Sequence, residues 1–301
     1  MQQELTLLAA GRTGCDCRER LMAESSRCFE HFFLKAVLAV IAILGSLCVG
    51  CGGGNNSSSS VPSSAVSAMN GNYSISMTSA GTSGLNSFPG AIQTDLAGHV
   101  TGTMHVQGSL LLCFGASFAL PLTGTIDSSG HLNATIAGTN NQVITLNATV
   151  SPDGALLSNG TYSGSGTGCA AGDHGSVTGF QVQAFTGAYS GSFSLAASPN
   201  ITLALSLMQS ATPDIRGMFP VTASAITVTG GAACGFSSAT LSAGSASGND
   251  VQLVLLGSDN VSVMTFIGVV TDGSTSLVRG EFLVLNGPCN GEGALLNLSR
   301  P

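Results

Sequence analysis

Ile201-Thr202-Leu203-Ala204-Leu205-Ser206-Leu207-Met208 puts an aliphatic side chain at every second position. Period-two alternation marks a half-buried strand, because successive side chains leave a pleated backbone on opposite faces. Val251, Leu253 and Leu255 repeat the pattern, as do Ile144, Leu146, Ala148 and Val150 against Val143, Thr145, Asn147 and Thr149. Between such runs stand Ser129-Gly130, Pro152-Asp153-Gly154, Ser158-Asn159-Gly160, Gly248-Asn249-Asp250 and Thr271-Asp272-Gly273. Asn, Asp and Gly tolerate positive φ, so these read as tight hairpin turns. No helical stripe follows residue 52. The expectation is an all-β chain of antiparallel hairpins with roughly seven or eight strands per unit, built as a small barrel-like meander or a two-sheet sandwich. The meander is the favoured form.

The strand pattern occurs twice. Cys113 and Cys234 are 121 positions apart, and Cys169 and Cys289 are 120 apart. Gly71-Asn72-Tyr73-Ser74-Ile75-Ser76 matches Gly187-Ala188-Tyr189-Ser190-Gly191-Ser192, Asp153-Gly154 matches Asp272-Gly273, and Gly160-Thr161-Tyr162 matches Gly280-Glu281-Phe282. An ordered series at nearly one offset indicates an internal duplication. The expected units are 69–185 and 186–301. Each holds one cysteine pair, so the simplest pairing is Cys113 with Cys169 and Cys234 with Cys289, one disulfide per unit. A loop of that size stabilises by about 4 kcal/mol in the chain-entropy account.

Ahead of the first unit, Ala36 to Leu44 is an uncharged apolar run preceded by Arg27 and Lys35. With Gly45 to Val49 it reaches signal-peptide length and falls short of the roughly 20 residues a spanning helix needs. Leu47-Cys48-Val49-Gly50-Cys51 follows, then Gly52-Gly53-Gly54-Asn55-Asn56 and four serines, Ser57 to Ser60. This order of apolar run, small residue, cysteine and flexible polar tether resembles a bacterial lipoprotein signal over residues 22–60. Cys48 departs from the aliphatic residue usual at its place. The resemblance implies cleavage after Gly50, a lipidated Cys51 as mature N-terminus, and a tether over 51–68. Gly52 stands where an Asp would favour inner-membrane retention, which points to the outer membrane, on its periplasmic or surface face. Residues 1–21 carry charges unusual ahead of such a signal, so Met22 is the expected start, and Cys15-Asp16-Cys17 is read as removed or never translated.

From Cys51 onward there are three arginines (Arg216, Arg279, Arg300), ten carboxylates and no lysine. Nucleic-acid binding needs clustered basic side chains to displace counterions from phosphates, so that class is excluded. A membrane-spanning barrel would show aromatic girdles. This part has no Trp and three Tyr, at 73, 162 and 189.

Chemistry is sparse. The Gly-x-Ser-x-Gly elbow of serine hydrolases does not occur. His99 and His105 lie on one expected strand about 20 Å apart, too far for one metal. With His131 and His174 they are read as solvent-facing. Cys169, Asp173 and His174 are the nearest approach to a zinc set, and a disulfide explains Cys169 better. Asp153-Gly154 and Asp272-Gly273 lack the alternating oxygen ligands of a calcium loop. No catalytic residue, metal or cofactor is expected. The expected role is a lipid-anchored, non-enzymatic envelope protein that binds or supports, with an envelope component or small apolar ligand as partner. The alternative is an enzyme acting on envelope polymers, its site assembled from residues distant in sequence.

Overall fold

The computed structural model describes residues 68–81, 85, 87–106, 114, 118–139, 141–168, 170–270 and 277–300. The signal-like segment, Cys51, the tether to residue 67, Cys113, Cys169 and Asp272-Gly273 lie outside the described residues.

Two eight-stranded antiparallel barrels follow one another along the chain. The first comprises β1 (Gly71–Ser79), β2 (Ser87–Thr94), β3 (His99–His105), β4 (Ala119–Ile126), β5 (His131–Ala137), β6 (Val143–Val150), β7 (Leu156–Ser165) and β8 (His174–Gln181). The second comprises β9 (Gly187–Phe193), β10 (Ile201–Gln209), β11 (Phe219–Thr229), β12 (Ala239–Ser247), β13 (Asp250–Gly257), β14 (Val263–Val270), β15 (Leu277–Asn286) and β16 (Gly293–Ser299). Every strand pairs with its successor, and the last returns to the first. In the first barrel the closure runs from Tyr73 opposite Gln181 to Ser79 opposite Gly175, and in the second Ser299 meets Ser190. The chain is therefore a closed meander, not a sandwich, and closure removes the exposed edges that an open sheet must protect.

The alternation places the cores. Ile201, Leu203, Leu205 and Leu207 all point inward and are buried, whereas Thr202 and Met208 are exposed. Ile144, Leu146, Ala148 and Val150 do the same in β6. Aromatic rings fill the middle: Phe88 meets Phe114 edge to face at 5.9 Å, and Phe193 packs on Phe282 at 4.4 Å. Gly268 and Gly280 are cross-strand partners, and a Cβ on either would meet the Phe266 ring at 2.5 or 2.6 Å. Their missing side chains make room for that ring, so aromatic packing fills this level of the second barrel.

Two local features differ from the expectation. Ser158-Asn159-Gly160 is not a hairpin turn. It lies inside β7, where the register against β8 shifts between Leu157 and Gly160, and Asn159 has φ 50°. A bulge and a tight turn need the same positive φ, so the tripeptide alone does not distinguish them. The second feature is a seam in the second barrel. β11 and β12 pair only at Phe219 with Ala246 and Pro220 with Ser245. The corresponding strands of the first barrel, β3 and β4, pair over seven positions. Beyond Pro220 the inward residues Ala223, Ile226, Ala239 and Leu241 are only partly buried.

Candidate functional site

The bonded cysteines mark one end of the second barrel. Cys234 sits in a single 3-10 turn (Ala232–Cys234) between β11 and β12, and Cys289 between β15 and β16. They form a disulfide with Cα atoms 5.1 Å apart. Cys113 and Cys169 fall in sequence between β3 and β4 and between β7 and β8, the connections that correspond to those carrying Cys234 and Cys289.

At the opposite end of the second barrel, the β10–β11 and β12–β13 connections rest on the outer wall of β1 to β3. Asn72 donates from Nδ2 to the Gly248 carbonyl at 2.8 Å, and the Gly248 amide donates back to Asn72 Oδ1. Gly248 and Asn249 form the two-residue turn between Ser247 and Asp250, with Gly248 at φ 55°. A Cβ there would meet Pro89, so the turn lies directly on β2. Ser74 reaches Asn249 Oδ1 at 3.2 Å. Ala91, on the outer face of β2, belongs to the buried core of the second barrel. The wall of one barrel thus helps close the end of the other.

His105 lies in this joint, and the solvent-facing assignment is wrong for it. It is 6% exposed, its Nε2 is 2.7 Å from the Arg216 carbonyl, and its Nδ1 meets Ser247 Oγ. A carbonyl only accepts, so Nε2 carries the proton and Nδ1 accepts from the Ser247 hydroxyl. Burial lowers the His105 pKa, opposed by the Arg216 carbonyl and by the charges of Asp214 and Asp250. Hydroxyl, imidazole and carbonyl in series have the connectivity of a nucleophile, a base and an orienting group. Ser247 is 3% exposed, however, so a substrate carbonyl has no approach to its oxygen. The chain of bonds fastens two barrels together. No local signal in the sequence pairs His105 with Ser247, because the contact spans 142 positions.

The joint also borders a cleft of about 140 Å3 lined by Asn70, Gly71, Ile92, Ala211, Pro213 and Phe219. That is well below the ~300–1,000 Å3 of ordinary small-molecule sites.

The other singled-out residues remain separate. His99 is exposed and bonds Asp95 within its own turn, Nδ1 to Oδ2 at 2.8 Å. His131 and His174 are exposed. Asp153 Oδ1 accepts from the Ser151 hydroxyl and the Ala155 amide, which holds its carboxyl below the usual range and makes it a turn residue. Asp173 is buried and accepts from Tyr162 Oη at 2.8 Å and Ser79 Oγ at 2.6 Å. Burial, and then that carboxylate, push the Tyr162 hydroxyl up to about 12. No group of three or more metal-ligating side chains occurs among the described residues.

No family model matches the chain, and no curated protein matches it. Among solved structures, a protein of unknown function from the DUF3598 family of Nostoc punctiforme is similar at 9% identity, covering 79% of this chain and 97% of that one, with a TM-score of 0.21. A likeness at that level carries no argument about fold or role.

Proposed function

We propose that this is an exported cell-envelope protein held to the membrane by lipid on Cys51, with a non-enzymatic binding or structural role. The observation that carries the non-enzymatic part is the burial of large aromatic side chains inside both barrels. Phe88, Phe114 and Tyr73 in the first, and Phe193, Phe266 and Phe282 in the second, occupy the space where a carrier or hydrolase of this shape would hold its ligand. The binding surfaces are then the outer walls and connections, and the partner is an envelope component or a small apolar ligand held there.

The Cys234–Cys289 disulfide supports export, because such bonds persist in oxidising compartments. The lipoprotein-type signal supports the anchor. Two or three acyl chains, at roughly 0.8 kcal/mol per buried methylene, hold a protein stably at a bilayer. The absence of Asp after Cys51 favours the outer membrane.

The test is Cys51→Ser in the full chain, followed by fractionation of cells. Release of the variant from the membrane fraction, with the wild type retained, is the expected result. Continued membrane retention of the variant would remove the basis of the proposal.

A further inference from the structure

The outer wall of β14, β15 and β16 is unusually apolar for a chain whose exterior is mostly Ser, Thr, Asn and Gly. Ile267, Val269, Leu283, Leu285 and Leu295 are 39% to 83% exposed and account for five of the eleven large hydrophobic residues exposed among the described residues. They are neighbours. Ile267 lies opposite Glu281, which lies opposite Leu295, and Val269 lies opposite Arg279. Such a contiguous patch marks an interaction surface more often than chance exposure does.

The same wall carries one charge of each sign. Arg279 and Glu281 are both exposed on the outer face of β15, two positions apart. Neither has an ion-pair partner among the described residues. Arg279, one of three arginines after Cys51, lies between Val269 of β14 and Asn297 of β16.

We propose that this wall binds the same wall of a second copy of the chain. Within this wall β15 is paired with β14 on one side and β16 on the other along its length, so the wall offers a face and not a backbone edge, and two copies associate through it by stacking faces. The arrangement is a two-fold axis between the stacked walls, at right angles to β15 and level with Gly280. The two β15 strands then run antiparallel, which sets Arg279 over Glu281 of the second copy and repeats that pair by symmetry. The same operation sets Ile267 over Val269, Leu283 over Leu277 and Leu295 over Asn297 of the second copy. A self-complementary patch is what an isologous interface requires, and the opposite charges fix its register. Three strands of seven to ten residues cover on the order of 400 Å2. A standard interface takes about 800 Å2 per partner, so the dimer is weak and concentration-dependent.

The test is sedimentation of the purified full chain in detergent over a range of concentrations. The wild type is expected to dimerise. R279E and E281R should each weaken dimerisation by ~10-fold or more, since each places like charges together. An equimolar mixture of the two single variants should form heterodimers, and R279E/E281R should recover the wild-type constant. That recovery also shows that the variants fold. A wild type that stays monomeric throughout, a dimer indifferent to R279E, or a double variant that fails to recover would overturn the proposal. The chain has no Trp, so L295W is a unique reporter. Its emission should move to the blue as protein concentration rises in detergent. A blue shift that depends on transfer into vesicles and not on protein density would assign the wall to lipid and overturn it too.

Discussion

Met69 and Phe185 hold the same place in the two barrels. Each is buried in its core just before the first strand, four positions ahead of a buried tyrosine, Tyr73 or Tyr189. Each is held by an equivalent clasp. The Met69 amide donates to Thr94 Oγ1 while the Thr94 amide donates to Asn70 Oδ1, both at 3.1 Å. The Phe185 amide donates to Gln209 Oε1 at 2.8 Å while the Gln209 amide donates to Thr186 Oγ1 at 3.1 Å. Gly71 and Gly187 follow, at φ 129° and 130°. The duplication has kept the geometry and exchanged the side chains that build it.

These two residues should therefore be the most costly single truncations near the start of each barrel. Phe185→Ala should destabilise by roughly 3–5 kcal/mol and Met69→Ala by roughly 2–5 kcal/mol. Denaturant unfolding measures both. A loss below about 1 kcal/mol for either would mean that its site collapses without cost.

The joint should respond to pH through His105. The folded protein favours the neutral ring, so its pKa lies below the ordinary value. As pH falls through about 6.5 the unfolded chain takes up a proton first, and stability declines. Full stability is retained above that pH. The loss continues until the folded-state pKa is passed. His105→Gln should flatten the melting temperature between pH 5 and 7, and an unchanged slope would assign the dependence to another group.

Asn72→Ala should loosen the same joint. It removes both bonds to Gly248 and leaves a buried amide and carbonyl without partners, at a cost of roughly 1–3 kcal/mol each. Limited proteolysis in the chain between Gln181 and Gly187 should quicken. Equal cleavage of variant and wild type would show that apolar packing around Ala91 holds the barrels without this pair.

The seam predicts a local difference between the barrels in hydrogen exchange. Amides of β11 and β12 that face each other beyond Pro220 and Ser245 should exchange faster than those joining β3 to β4, where seven residue pairs close the ladder. Equal protection in the two places would mean the seam is closed in solution.

Much of this architecture is legible in the chain because inward and outward residues alternate so regularly in β6, β10 and β13. The offset of the cysteines exposed the duplication for the same reason: both copies keep their connections at matching lengths. The repeat continues upstream as Ala68-Met69-x-Gly71 and Ala184-Phe185-x-Gly187, but the clasp itself leaves no shared residues, because Thr94 and Asn70 in one copy are replaced by Gln209 and Thr186 in the other. The joint is different. His105 points away from its own barrel, as a solvent-facing residue would, and docking of the connections that carry Arg216 and Ser247, 111 and 142 positions away, buries it. The seam left only a faint trace. Ala239–Ser247 holds one large aliphatic residue, Leu241, so β12 has little to pack against β11.

The central claim is that lipid is attached to Cys51 and that the other four cysteines are all bonded. Intact mass of the membrane-extracted full chain, before and after reduction and alkylation, reads both. The expected result is a chain beginning at Cys51 with added acyl mass, and four alkylated thiols, at Cys113, Cys169, Cys234 and Cys289, only after reduction. A lipid-free mass beginning at residue 1 or 22 would contradict the anchor, and alkylation of those thiols without reduction would contradict one disulfide per barrel.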